Sequence, residues 1–302
     1  MLTASYDACR AITRRHAKSF HLASRLLPRA KRREAWAVYA FCRVADDAVD
    51  LLPVETDRAH ALAPARAVLD WVYEAGPQPP DAPWAAAFRD TCLRHAIPRG
   101  YFDGLLKGIS LDCGGPVRIA NWAELDLYCH HVASLCGLVM TRLFVPKEAI
   151  DDRLLEQAAA LGTAMQLTNI LRDVGEDLDR DRIYLPAYDL AKFGLSEADF
   201  HAFRASGKID DRFRSLMRFQ IARAREWYVQ ADAGIARLPA DGTRRTVWTM
   251  RLLYAAILDE IERNDYEVFT RRARVGGWRK LSLLAEAWMR GRKPAPGAIE
   301  SQ

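Results

Sequence analysis

Apolar residues recur three and four positions apart in nearly every window of the chain, and sustained alternation at period two is hard to find. That spacing draws an apolar stripe down one side of a helix, so the chain is expected to be all-α. Proline and glycine punctuate the pattern at Leu27-Pro28, Leu52-Pro53, Gly76 to Pro83, Gly114-Gly115-Pro116, Val145-Pro146 and Leu185-Pro186. Between these breaks lie about ten helical stretches, with edges good to a few residues. The longest are expected near 30–50, 57–74, 84–95, 99–111, 121–143, 149–176, 210–237 and 242–270. No internal repeat is visible. Residues 1–290 read as a single helical domain and 291–302, with Lys293-Pro294-Ala295-Pro296-Gly297, as a flexible tail.

Two segments break the amphipathic rule. Asp46-Asp47-Ala48-Val49-Asp50 follows Tyr39-Ala40-Phe41-Cys42, and Asn169-Ile170-Leu171-Arg172-Asp173-Val174-Gly175-Glu176-Asp177 follows Met165-Gln166-Leu167-Thr168. Residues four apart share a helix face, so Asp46 and Asp50 point one way, as do Asn169, Asp173 and Asp177. Carboxylates at helix C-termini oppose the macrodipole, and carboxylates among apolar neighbours require a counter-charge. Mg²⁺, which takes oxygen ligands and completes its shell with water and phosphate, is the economical supply. The first segment alone reads equally well as a helix running into the Leu51-Leu52-Pro53 loop. The second shifts the balance towards a site.

Composition narrows the choices. Half of the 302 residues are hydrophobic, enough for a large core. The net charge of +5 is spread along helices with no recognition motif, which disfavours nucleic acid and fits an anionic substrate or membrane surface equally well. Cys9, Cys42, Cys92, Cys113, Cys129 and Cys136 show no CxxC spacing and no secretory signal precedes them, so reduced thiols and a cytoplasmic location are expected. Arg142 interrupts the apolar run from Val132 to Val145, and no spanning segment is seen. His60, His95, His130, His131 and His201 lack ligand spacing, and the eight tryptophans read as packing residues.

Two facing carboxylate rows suit ionisation of a diphosphate, with the metal as Lewis acid and apolar walls shielding the cation left behind. Phe20, Tyr39, Phe41, Leu135, Val139, Leu143, Leu161, Met165 and Tyr254 are wall candidates. Arg15, Lys18, Arg43 and Arg172 are candidate diphosphate clamps, although Arg172 also has Glu176 four residues on as a plain salt-bridge partner.

The residues carry a family resemblance. His16-Ala17-Lys18-Ser19-Phe20, Ala37 through Asp50 and Gln166 through Asp177 resemble the squalene/phytoene synthase family. Arg182-Ile183-Tyr184-Leu185-Pro186, Tyr128-Cys129-His130-His131-Val132-Ala133 and Ile257 through Tyr266 look like further motifs of it, over roughly residues 10 to 290. The resemblance implies an isoprenoid synthase bundle around a central cavity, and head-to-head condensation of two prenyl diphosphates through a cyclopropyl diphosphate. It implies two or three Mg²⁺ ions held by Asp46, Asp50, Asn169, Asp173 and Asp177, with Asp47 and Glu176 beside them or as alternates. His16, Lys18, Ser19, Arg43, Gln166, Arg172 and Tyr254 are then expected to contact diphosphate or position the chains, and Tyr39 and Phe20 to line the reacting centre. Val132-Ala133-Ser134 and Gly108-Ile109-Ser110-Leu111-Asp112-Cys113 depart from the family's usual wording, which bears on product length.

The late segment, followed by Phe269-Thr270-Arg271-Arg272-Ala273, looks closest to the phytoene-forming branch, with geranylgeranyl diphosphate as substrate. The C30 branch, using farnesyl diphosphate to make dehydrosqualene, presqualene diphosphate or squalene (the last with NADPH), is the alternative. A terpene cyclase and a non-catalytic helical scaffold are further ones. A greasy product without a spanning segment suggests peripheral contact with the inner face of a membrane; the oligomeric state is not legible.

Overall fold

The structure, a computed structural model, describes residues 2–50, 58–74, 76–79, 81–113 and 115–292, apart from the side chains of Asp50, Arg58 and Ala59. Helices α1 (Leu2–His16), α2 (Lys18–Ala23), α3 (Arg29–Asp50), α4 (Arg58–Glu74), α5 (Ala85–Arg94) and α6 (Arg99–Leu111) build the first half. Helices α7 (Trp122–Cys129) and α8 (Leu135–Phe144) are joined by a π-helical turn, His130–Ser134. Then come α9 (Asp152–Arg172), α10 (Val174–Leu178), α11 (Ala187–Lys192), α12 (Glu197–Ser206), α13 (Asp211–Arg237), α14 (Thr243–Arg263) and α15 (Gly277–Arg292). The strands β1 (Val117–Arg118) and β2 (Arg182–Ile183) form one short parallel bridge. The all-α expectation holds, and no helix among the described residues is long and apolar enough to cross a membrane.

Helix α9 is the spine. Its first turn is capped by the Asp151 carboxylate, which accepts from Leu154 N at 2.8 Å. It packs against α13, α14, α8 and the π-turn. Gly162 permits the last contact: a Cβ there would lie 2.6 Å from the Ala133 carbonyl oxygen, so only glycine lets the two backbones approach. One apolar core lies between α1, α3, α4, α5, α6 and α8, and a second between α9, α10, α13 and α14.

Phe41, one turn before the first acidic segment, is fully buried and stacks on Phe88 with ring centroids 4.5 Å apart. It is a core residue that fixes α3 in place, not the cavity wall expected from sequence; its burial contributes about 1.5–3 kcal/mol.

Four boundaries differ from expectation. The 149–176 helix starts at Asp152 and breaks at Asp173, whose φ of −104° and ψ of 13° leave helical space. The pitch survives, because Asp173 N still donates to Asn169 O at 2.9 Å and Asp177 N to Asp173 O at 2.8 Å. The 242–270 helix stops at Arg263, where Asp265 and Tyr266 take positive φ of 53° and 63°, and the chain runs on as an irregular strap to Gly276. The expected tail boundary at 290 falls inside α15, which continues through Arg292; 293–302 lie outside the described residues. Trp278 and Trp288 on α15 are 87% and 45% exposed, unlike the packing tryptophans expected.

Candidate active site

The C-terminal half of α3 and the C-terminal turns of α9 face a common cavity of about 240 Å³. Helix α3 contributes Arg43, Asp46 and Val49, and α9 contributes Gln166, Asn169 and Ile170. Asp173, at the α9–α10 break, and Asp177, within α10, complete this lining. The two acidic segments are thus brought together. The Asp50 side chain lies outside the described residues.

The charges are unevenly balanced. Asp173 accepts from Arg172 Nε at 2.7 Å and from Arg272 Nε at 2.9 Å, both at Oδ1. Arg272 also reaches Glu176 at 3.1 Å, so Arg172 pairs with its neighbour Asp173 and Glu176 takes the strap arginine. Asp177 is different: burial first, then the Asp173 charge, push its carboxyl up to about 7, against the pull of Arg182 and Arg180. Arg43 forms an ion pair with Asp47, while its Nε is buried without a partner.

The aromatic candidates sit just outside the acidic lining. Tyr39, one turn before Arg43, is pushed up to about 12 chiefly by burial, and its ring lies 5.6 Å from that of Phe20. Tyr254 is raised by burial and feels the charges of Arg172, Asp173 and Arg272. His16, Lys18 and Ser19 are exposed at the α1–α2 junction and are not part of the cavity lining.

Ile109, Asp112, Tyr128, Val132, Arg182 and Tyr184 also line the cavity, and sequence reasoning gave none of them a part in the chemistry. Asp112 accepts from Tyr128 OH at 2.8 Å and Tyr184 OH at 2.7 Å, and the two rings stack 4.9 Å apart. Arg182 donates to the Asp112 carbonyl at 2.9 Å, tying the β2 segment to the end of α6. The signal was present: Tyr128, Val132, Arg182 and Tyr184 stand in segments quoted for their resemblance, and Ile109 and Asp112 in one quoted for its departure from the family's wording. Val132 reaches the cavity from the π-turn, an irregularity that favours functional positions.

Among the described residues no three His, Cys, Asp or Glu side chains converge tightly enough to close a metal site alone. The donor set nevertheless fits Mg²⁺. All its members are oxygen ligands, and Asp177 is an acid under-supplied with positive charge. A cation that draws part of its shell from water and substrate phosphate needs only one or two carboxylates from the protein.

An all-helical bundle whose two acidic helix ends meet across a cavity defines the isoprenoid synthases as its class. The squalene/phytoene synthase family model matches residues 13–279, and the chain belongs to that family. It is 42% identical over 299 residues to a phytoene synthase of Arthrospira platensis, covering 95% of this chain and 94% of that one. With a 15-cis-phytoene synthase of a Synechocystis species the identity is 40%, over 95% and 85% of the two chains. Among solved structures, a dehydrosqualene synthase bound to a ligand superposes with a TM-score of 0.84 at 28% identity, covering 95% and 96%. A squalene synthase from Alicyclobacillus acidocaldarius gives 0.78 at 28% identity, covering 88% and 96%.

Proposed function

We propose that the chain joins two geranylgeranyl diphosphates head to head to give phytoene, with Asp46, Asp50, Asn169, Asp173 and Asp177 holding two or three Mg²⁺ ions. The observation that carries the substrate choice is identity near 40% to phytoene synthases over almost the whole chain. The metal, when bound, neutralises the diphosphate and assists its departure as a Lewis acid.

The protein's own residues do the rest. Arg43, Gln166 and Arg172, with Lys18, Ser19 and His16 at the α1–α2 junction, hold and orient the diphosphates. Phe20, Tyr39 and Tyr254, with Val132, Ile109 and Ile170, keep water from the allylic cation, and aromatic faces stabilise it. The first substrate loses diphosphate, and the second's double bond attacks its C1 with loss of a proton, giving a cyclopropyl diphosphate. Loss of the second diphosphate, rearrangement joining the two C1 carbons and loss of a second proton complete the balance.

The likeness to a dehydrosqualene synthase favours a second reading, the same chemistry on farnesyl diphosphate. Product analysis separates the two. Purified protein with Mg²⁺ is given each diphosphate, with and without NADPH. A C40 hydrocarbon from geranylgeranyl diphosphate without NADPH supports the first reading. A C30 product overturns it in favour of the second, and no coupled product overturns both.

A further inference from the structure

Helix α15 has two apolar faces. The inner one, Leu283, Ala287 and Gly291, is buried against α14. The outer one is not covered: Trp278 is 87%, Leu281 57% and Met289 61% exposed, and with the exposed Ala285 they fall at helical spacing along one side. Trp288, 45% exposed, borders this face with the Arg245 guanidinium 3.9 Å from its ring. No other element among the described residues exposes more than one large hydrophobic side chain, whereas α15 exposes four. The patch is a property of this helix and not of the surface generally.

Its setting is strongly cationic. Residues 271–292 contain Arg271, Arg272, Arg274, Arg279, Lys280, Arg290 and Arg292 against a single acid, Glu286. Arg272, Arg279 and Arg290 are engaged with Asp173, Asp259 and Glu286. Arg271, Arg274, Lys280 and Arg292 are exposed and form no ion pair among the described residues. The outer face itself carries no acid.

We propose that the outer face of α15 docks the protein on an anionic lipid bilayer, with the helix lying in the plane of the interface. Trp278 and Trp288, about 15 Å apart along the axis, occupy the headgroup boundary, where indole rings partition. Leu281, Ala285 and Met289 enter the acyl region beside them, and Arg271, Arg274 and Arg292 meet lipid phosphates. Charge complementarity selects lipid over a second copy of this chain, because two such faces apposed would bring like charges together. Helix α15 follows the strap that carries Arg272 to Asp173, so the docked face lies close in sequence to the acidic site.

The test is flotation of the full chain with phosphatidylcholine vesicles, with and without phosphatidylglycerol, in the absence of substrate. Its outcome is therefore independent of which prenyl diphosphate the enzyme uses. Binding is expected to anionic vesicles and to fall as salt rises. The Trp278→Ser/Met289→Ser pair and the Arg274→Glu/Arg292→Glu pair are each expected to lower it at least about tenfold. Circular dichroism melts and turnover of detergent-dispersed substrate are expected to match wild type, excluding misfolding. Equal flotation of wild type and both variants, or no flotation of wild type, overturns the proposal. So does a dimer in sedimentation that the Trp278→Ser/Met289→Ser pair converts to monomer without changing flotation.

Discussion

Arg272 grips both carboxylate oxygens of Asp173, Nε to Oδ1 at 2.9 Å and Nη2 to Oδ2 at 3.1 Å. The arginine comes from the strap after α14 and the aspartate from the break after α9, so in the metal-free protein a side-chain cation already occupies part of the charge that Mg²⁺ is proposed to supply. Mg²⁺ held at Asp173 as proposed would loosen this pair. Arg272 is more than a third exposed, so solvent screens the interaction and its cost is about 1 kcal/mol or less. Arg272→Ala is therefore expected to lower the half-saturating Mg²⁺ concentration by about 2–5-fold, read from initial rates across a metal titration. A higher requirement would show that Arg272 serves the diphosphate instead.

Asp177 gives the metal-free protein a pH signature. Its pKa in the fold, about 7, lies above the ordinary aspartate value, so the native state holds a proton that the unfolded chain has released. This contribution is fully present below about pH 4 and is lost as pH rises through about 7. Asp177→Asn should flatten the fall between pH 4 and 7 and stabilise the metal-free protein at pH 8 by about 1–2 kcal/mol after allowance for screening, measured by urea titration in chelator. If the variant is less stable at pH 8, the carboxyl is not penalised there.

The Asp112 clamp is structural as well as site-lining. Tyr184→Phe removes one of its two tyrosine donors and is expected to cost about 1–2 kcal/mol, a drop of about 2–4 °C in Tm. Calorimetry of the purified variant reads this directly. An unchanged Tm would mean that water replaces the lost hydroxyl at no cost.

Gly175 tests the strap. A Cβ on it would stand 2.1 Å from the Phe269 carbonyl oxygen, and backbone there cannot turn aside as a flexible side chain would. Gly175→Ala should destabilise by about 1–3 kcal/mol and, by shifting the strap, alter the Mg²⁺ response in the same direction as Arg272→Ala. A variant with wild-type melting would show that the strap is free to move.

The legible part of this protein was its periodicity and its two exceptions. Helical spacing marked most long helices, and oxygen-bearing side chains amid apolar residues marked Asp46, Asn169, Asp173 and Asp177, which line one cavity. The α9–α10 break was hidden because Asp173 leaves helical dihedrals while the i to i−4 hydrogen bonds persist on both sides of it. The end of α14 was hidden because Asp265 and Tyr266 turn left-handed without a glycine or proline to announce it. Asp112, Tyr128 and Tyr184 stood in quoted segments, but their mutual hydrogen bonds join three distant parts of the chain, and no local pattern reports such a junction. Arg272 was read only as part of a run and not as the partner of Asp173, for the same reason.

The most direct test of the central claim, that the two acidic helix ends form one metal-dependent diphosphate site, is calorimetric titration with a non-hydrolysable geranylgeranyl thiodiphosphate. It is run on wild type, Asp46→Asn and Asp173→Asn, each with Mg²⁺ and with chelator. Tight binding in Mg²⁺, weakened at least about tenfold by chelation and by either substitution while helicity and melting stay near wild type, is the expected result. Affinity indifferent to Mg²⁺ and to both substitutions would contradict it.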